Sequence, residues 1–230
     1  MNPVHWVDTV ESTNTVLRHG SVSHGDAVAT LNQTGGRGRL GRDWIESPGR
    51  GLALSVVLTE PVAVPTLVPL IAGATAVEVL RQFHPASRAW MKWPNDVYIG
   101  ERKVAGILTE VPDDGRMVVG IGVNLTHTAE ELPLERATSL AIEGLGVDPV
   151  AFANEWRALL LARVESTDAV STVDWLNSVM GMRGEAVRID FPDGIQRTGT
   201  IVGIAADGAL ILDSGDRVVA GDITRLRPAD

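Results

Sequence analysis

Three arginines and a tryptophan stand on one glycine-rich stretch, Gly36-Arg37-Gly38-Arg39-Leu40-Gly41-Arg42-Asp43-Trp44. Arginine forks match the oxygens of phosphates and carboxylates, and glycine lets a backbone approach an anion closely. The run fits Gly-x-Gly-x-x-Gly literally. It leads to Ser47-Pro48-Gly49, however, and not into the helix that a dinucleotide fingerprint requires. It also falls short of a P-loop, because Arg42-Asp43 stands where Lys and Ser or Thr are needed. A solvated loop with incidental charge would share this composition. Trp44 weighs against that reading, since an aromatic in such a loop can fold over an apolar ligand and exclude water. Like-charged arginines on glycine should leave residues 35–48 mobile until a bound anion neutralises them.

A second group of reactive side chains falls on an expected hairpin. Val97 to Ile99 and Val104 to Leu108 flank Gly100-Glu101, with glycine at the first central position of a type II′ turn. Ile99 then faces Arg102, and Tyr98 faces Lys103. Alternation puts Asp96, Tyr98, Lys103 and Ala105 on one face, so that an acid and an amine share it. Taken singly, Lys103 could be an exposed hairpin lysine and Asp96 a turn residue. The run Met117 to Leu125 carries Gly120 and Gly122, which strip one face of a strand of side chains. Interior strand glycines mark bulges, tight packing or close approach by a ligand.

The elements that must position these groups can be read in outline. Trp6-Val7-Asp8 ends a short strand. Ser12-Thr13-Asn14 supplies capping side chains for a helix reaching Gly20. Ala27 to Leu31 and Leu52 to Leu58 are apolar strands on either side of a polar loop over 33–50. Val62 to Val77 carries no charge but contains Pro65 and Pro69. It is short of the roughly 20 residues that span a bilayer, so a buried core helix over 66–82 is expected. Asp148-Pro149 caps a long helix with Phe152, Trp156, Leu159, Leu160 and Val164 on its apolar face. A shorter helix covers 172–179. Beyond Gly181 and Gly184 the period changes to two, with turn signals at Pro192-Asp193-Gly194, Ala206-Asp207-Gly208 and Ser214-Gly215-Asp216. The expected division is therefore 1–181 for an α+β domain and 182–230 for a small SH3-like β-barrel.

The ordered blocks resemble the biotin protein ligase family. Ser12-Thr13-Asn14 is similar to its opening motif, and the loop ending in Trp44 to its biotinyl-adenylate loop. Lys92-Trp93-Pro94-Asn95-Asp96 resembles its signature pentapeptide. Lys103-Val104-Ala105-Gly106-Ile107-Leu108-Thr109-Glu110 resembles its lysine strand, and Gly120-Ile121-Gly122-Val123-Asn124 its glycine strand. The resemblance implies a mixed β-sheet with flanking helices, the class II synthetase-like catalytic fold of biotin and lipoate ligases. It implies ATP and biotin as substrates, Mg2+, and a biotin carboxyl carrier protein as partner. Biotin would be activated to biotinyl-5′-AMP and passed to a carrier lysine.

The resemblance also implies roles residue by residue. Ser12, Thr13, Asn14 and Gln33 would hold the biotin ring system, Ser12 and Gln33 being equally readable as a helix cap and a loop residue. Gly36 and Arg37 would line the biotin and phosphate region. Arg39 and Arg42 would hold phosphates, and Trp44, Asn95 and Asn124 would touch the adenylate. Lys103 would bridge the biotin carboxyl oxygen and the α-phosphate. Gly106, Gly120 and Gly122 would make room for the rings. Trp93 and Pro94 would position their neighbours. Asp96 would orient the incoming amine, accept its proton or, with Asn124, help hold the metal.

Composition sets limits. Among 230 residues there is no cysteine, and the formal net charge is −9. This excludes a disulfide framework, a thiolate zinc site and a cysteine nucleophile, and it disfavours general nucleic-acid binding. A hydrophobic fraction of 44% with 21% charged residues is that of a globular protein. The opening motif begins at Ser12, which leaves no room for a preceding helix-turn-helix. The expectation is a cytoplasmic ligase that binds neither DNA nor membrane and acts as a monomer or weak homodimer. Three rivals remain. A lipoate ligase or octanoyl transferase shares the fold, a non-enzymatic scaffold would explain the barrel equally well, and a DNA-binding repressor is opposed by charge.

Overall fold

The computed structural model describes residues 3–44, 47–132, 136–165 and 169–226. Positions 45–46 of the expected loop, and the ends of both expected domains at 1–2 and 227–230, lie outside the described residues. In chain order the elements are β1 (His5–Trp6), α1 (Thr13–His19), β2 (Ala27–Thr30), β3 (Gly51–Leu58), α2 (Val68–Phe83), β4 (Ala89–Lys92), β5 (Asp96–Ile99), β6 (Arg102–Glu110), β7 (Met117–Asn124), α3 (Pro149–Glu165), α4 (Ala169–Val179), β8 (Ala186–Asp190), β9 (Gln196–Ile204), β10 (Leu210–Leu212), β11 (Arg217–Val218) and β12 (Asp222–Arg225).

Strands β1 to β7 form one sheet in the order β1-β2-β3-β7-β6-β5-β4. The β1–β2 pair is parallel and the others are antiparallel. This is the mixed sheet with flanking helices that the sequence implies. Every residue of β3 is buried, as its apolar run demands of a central strand. The core face is covered by α2. Its small residues permit close approach, and a Cβ on Gly73 would already touch Met91 at 3.4 Å. The segment Pro65–Phe83 is long and apolar enough to cross a membrane, yet 67% of its most apolar window is buried inside this protein. Helix α3 packs on α2, and its Trp156 indole donates to the Ala72 carbonyl at 3.0 Å. On the opposite face α1 covers only one end, against β2, β3 and β7. The rest of that face is left for the site.

The second sheet is five-stranded and antiparallel, in the order β11-β10-β9-β8-β12. Its core residues Val187, Ile189, Ile201 and Leu210 belong to the same apolar cluster as Leu54, Leu80 and Trp156 of the first. Asn177 of α4 clasps Ile204 in both directions, accepting from its N–H at 2.9 Å and donating to its carbonyl at 3.3 Å. Trp93 donates to the Gly208 carbonyl at 3.0 Å, and Arg225 pairs with Glu101 in the β5–β6 turn. The two sheets are one packed body.

Two expectations need correction. Strand β4 was not expected, because Ala89–Lys92 is short and runs straight into the motif that starts at Lys92. The hairpin register is as expected at Ile99–Arg102 and Tyr98–Lys103, and Gly100 has the positive φ (58°) that its turn position needs. Beyond Lys103 a bulge at Val104 shifts the register, so Val97 pairs with Ala105 and Asp96 with Gly106. Ala105 therefore faces the core, 1% exposed, and Gly106 takes the expected place beside Asp96. A bulge inserts one unpaired residue, and the side chains beyond it change faces.

Candidate active site

The bulge and the glycines together build a trough. Across the open face of the sheet, Ala53, Gly122, Gly106 and Asp96 are register partners on β3, β7, β6 and β5. Gly120 lies one step along, between Ser55 and Leu108. With no side chain at 106, 120 or 122, the sheet floor is bare backbone. The Trp44 indole lies over it. A Cβ on Gly122 would stand 2.5 Å from that ring, and one on Gly106 at 3.1 Å. The ammonium of Lys103 sits 5.4 Å from the centre of the Trp44 ring and 2.6 Å from Asp96 Oδ1.

One end of the trough is polar and closed. Ser12 caps α1, its hydroxyl accepting from Thr15 N–H. Thr13 and Asn14 come next in the first turn and are turned into the site. Gln33 Oε1 accepts from Thr13 N–H at 3.0 Å and lies 3.3 Å from Thr13 Oγ1. Ser55 of β3 lies between Thr13 Oγ1 at 2.7 Å and Asn14 Oδ1 at 2.6 Å. Thr13, Asn14 and Ser55 are buried.

The other end is cationic. Residues 36–44 form a folded flap, with Arg37 bridged to Asp43, Trp44 N–H donating to the Gly36 carbonyl at 3.0 Å, and a helical turn at Arg39–Gly41. Arg39 donates to Asn95 Oδ1 at 3.1 Å. Asn95 is itself fixed, donating to the Ile107 carbonyl at 2.8 Å while its own carbonyl accepts from Ile107 N–H. Arg42 pairs with Asp222 of β12, whose hydrogen bond and negative charge raise the guanidinium pKa above its ordinary value. Arg37 reaches only a loose pair with Glu11 at 4.0 Å. On the sheet beside Asp96, burial lowers the pKa of Lys92 and raises that of Tyr98 to about 12.

Ser12, Thr13, Asn14, Gln33, Arg37, Arg39, Arg42, Trp44, Asn95, Asp96, Lys103, Gly106, Gly120, Gly122 and Asn124 all line this one cavity. Gly36 does not. It closes the stem of the flap, where a side chain would strike the Trp44 carbonyl. Asp96 and Asn124 do not form a joint metal cage, for they lie on strands separated by β6. Asp96 Oδ1 already faces Lys103, and Asn124 Nδ2 is held by the Thr138 carbonyl at 2.9 Å. No group of three His, Cys, Asp or Glu gathers among the described residues. Magnesium could sit here only if substrate phosphates supply most of its ligands, which is its common habit.

Four contributors were missed. Ala137 pairs with Lys103 where β7 ends, through Thr138 N–H and the Arg136 carbonyl, both at 2.8 Å. Asp222 arrives from the second sheet, and Asp43 sits within the flap. Ser55 had a readable signal, a lone hydroxyl in the run Leu52-Ala53-Leu54-Ser55-Val56-Val57-Leu58.

Comparison with known proteins places this architecture in a class and then in a family. Residues 6–125 match the Biotin/lipoate A/B protein ligase family, and 184–225 match the Biotin protein ligase C terminal domain. The chain belongs to this family. It is 33% identical to the biotin–[acetyl-CoA-carboxylase] ligase of Mycobacterium tuberculosis, over 94% of this chain and 86% of that protein. It is 34% identical to the bifunctional ligase/repressor BirA of Escherichia coli over 60% of this chain, but spans only 46% of that protein's length. The biotin protein ligase from Aquifex aeolicus, solved in complex with biotin and ATP, superposes with a TM-score of 0.81 at 29% identity. That alignment covers 99% of this chain and 100% of the other.

Proposed function

We propose that this chain is a biotin protein ligase, which activates biotin with ATP to biotinyl-5′-AMP and transfers the biotin to a lysine of a biotin carboxyl carrier protein. The observation that carries the reading is Lys103 standing over a glycine floor, between a closed polar end and an arginine flap. Biotin's ureido ring offers N–H donors and a carbonyl to Thr13, Asn14 and Gln33. The dithiolane ring of lipoate offers none. It would leave buried polar groups without a ligand partner, at a cost of about 1–3 kcal/mol each.

In the first step a biotin carboxylate oxygen attacks the α-phosphorus and pyrophosphate leaves. Lys103 offsets the charge of the carboxylate and α-phosphate as they approach. Arg39, steadied by Asn95, and Arg42 take the departing phosphates. Trp44 covers the acyl end and keeps water from the mixed anhydride. In the second step the carrier lysine amine attacks the acyl carbon and AMP leaves. Asp96 orients that amine and takes its proton. No protein nucleophile is needed, which agrees with a cysteine-free chain. A magnesium ion would be held mainly by the nucleotide's phosphates, with Asp96 or Asn124 as a single protein ligand, and would supply positive charge there.

The residues given roles gather in one cavity of a single chain, which supports action as a monomer. The net charge of −9 speaks against a DNA partner. A cytoplasmic location, where ATP is available, is part of this proposal. The test is incubation with ATP, labelled biotin and a carrier domain. Label should appear on the carrier's lysine and be absent when the lysine is replaced by arginine. Labelling from lipoate and not from biotin would transfer the chain to the lipoate branch of the family.

A further inference from the structure

The polar end of the trough does not stop at Thr13 and Asn14. Asn14 Nδ2 donates to Glu110 Oε2 at 2.7 Å, and the other oxygen of Glu110 accepts from Arg18 at 2.9 Å. Glu110 closes β6, and Arg18 lies one turn beyond Asn14 on α1. A continuous chain thus runs Arg18, Glu110, Asn14, Ser55, Thr13, Gln33. It leads from the outer end of α1 into the closed end of the cavity.

The protons along this chain have only one arrangement. An ionised carboxylate only accepts, and guanidinium only donates. Glu110 at 2.7 Å, with the Leu108 carbonyl as a longer second acceptor at 3.4 Å, therefore fixes which way the Asn14 amide faces: Nδ2 outward to Glu110 and Oδ1 inward to Ser55. Ser55 has a single proton and spends it on Asn14 Oδ1. Thr13 must then spend its own proton on Ser55, the nearer of its two acceptors at 2.7 Å against 3.3 Å to Gln33. Both Thr13 Oγ1 and Asn14 Oδ1 are left presenting lone pairs to the cavity.

We infer that Glu110, anchored by Arg18 and relayed through Ser55, is a positioning residue that sets this end of the site to accept N–H donors. The inference rests on the biotin reading and adds to it a source for ring specificity. The ring selected is one with N–H groups at its edge, and a ring of the same shape with an acceptor there is refused because lone pair would meet lone pair.

Glu110→Gln tests the direction while keeping the shape. A glutamine has one acceptor oxygen where two donors, Arg18 and Asn14, each require one. Arg18 is permanently charged and takes it, so Asn14 meets an amide nitrogen in place of its 2.7 Å acceptor, keeps only the 3.4 Å contact with the Leu108 carbonyl, and turns over. Ser55→Ala cuts the relay with the loss of one atom. The probes are biotin and the two cyclic carbamates in which one ring N–H is replaced by oxygen. The readout is the ratio of kcat/KM for adenylation between biotin and each carbamate. The wild type should reject at least one carbamate by about a hundredfold, and both variants should narrow that ratio by about tenfold. A merely structural role would depress biotin and carbamate together and leave the ratio alone. Adenylation retained with an unchanged ratio in both variants would overturn this inference only. A wild type that forms no biotinyl-AMP would overturn the functional reading and this inference with it.

Discussion

The two ends of the trough are built in opposite ways. At the polar end Thr13, Asn14 and Ser55 are at most 5% exposed, and their hydrogen bonds run between α1 and the strands. At the cationic end the side chains of Arg37 and Arg42 are 60% and 64% exposed, and both belong to a flap held largely by its own backbone. A neutral ring with fixed donors is best met by groups already locked in place, because an unpaired buried polar group is costly. Triphosphate charge is best met by long side chains that reach from solvent, because guanidinium groups are too costly to bury unpaired. Lys103 stands where the two designs join.

Removing the joint should have the largest effect. Lys103→Ala is expected to slow biotinyl-AMP formation by roughly 100- to 1000-fold, measured in single-turnover assays, because no other lysine lines the cavity among the described residues. Undiminished synthesis would favour a scaffold without chemistry. Next in size, Gly122→Val fills the floor where even a Cβ meets Trp44 at 2.5 Å. It should raise the KM for biotin by about tenfold or more, with a smaller change for ATP. Equal changes for both substrates would erase the distinction between the ends.

Salt should separate the ends more gently. Between about 50 and 500 mM NaCl the KM for ATP should rise several-fold, because exposed charges are screened over a few ångströms at high ionic strength. The KM for biotin should stay nearly constant. A parallel rise would mean that the ring end also depends on charge.

The smallest effect concerns the far stem of the flap. His127 Nε2 accepts from Ser47 N–H at 3.4 Å, and burial holds the imidazole pKa below its ordinary value. The unfolded chain takes up a proton as pH falls through about 6.5, whereas the folded protein does so only at lower pH. Stability should therefore decline as pH drops below that value. The thermal midpoint of the wild type should fall more steeply from about pH 7.5 to 5.5 than that of His127→Gln. Matching slopes would show that His127 plays no part in the decline.

The contrast between the ends also explains what the sequence made legible. The cationic end was visible because glycine and arginine at close spacing are rare and local. Lys103 and Asp96 were visible because a two-residue turn sets register over a few positions. The bulge at Val104 was not, since Gly106 reads equally as a bulge, tight packing or room for a ligand, and it moved Ala105 from the site face to the core. The polar end was only half visible. Thr13 and Asn14 belong to a motif, but Ser55 and Glu110 join them across 41 and 96 positions, a closure set by strand order. Asp222 meets Arg42 across 180 positions, for the same reason. Short-range chemistry was readable; of the partners brought by the sheet, Ser55 left a lone hydroxyl in an apolar run, but the pairings themselves were not readable.

The central claim is that this trough activates biotin. It is tested most directly by ATP–pyrophosphate exchange with each acid supplied alone. Exchange should depend on biotin, be absent with lipoate and collapse in Lys103→Ala. Exchange supported by lipoate and not biotin, or exchange as fast without Lys103 as with it, would contradict the claim.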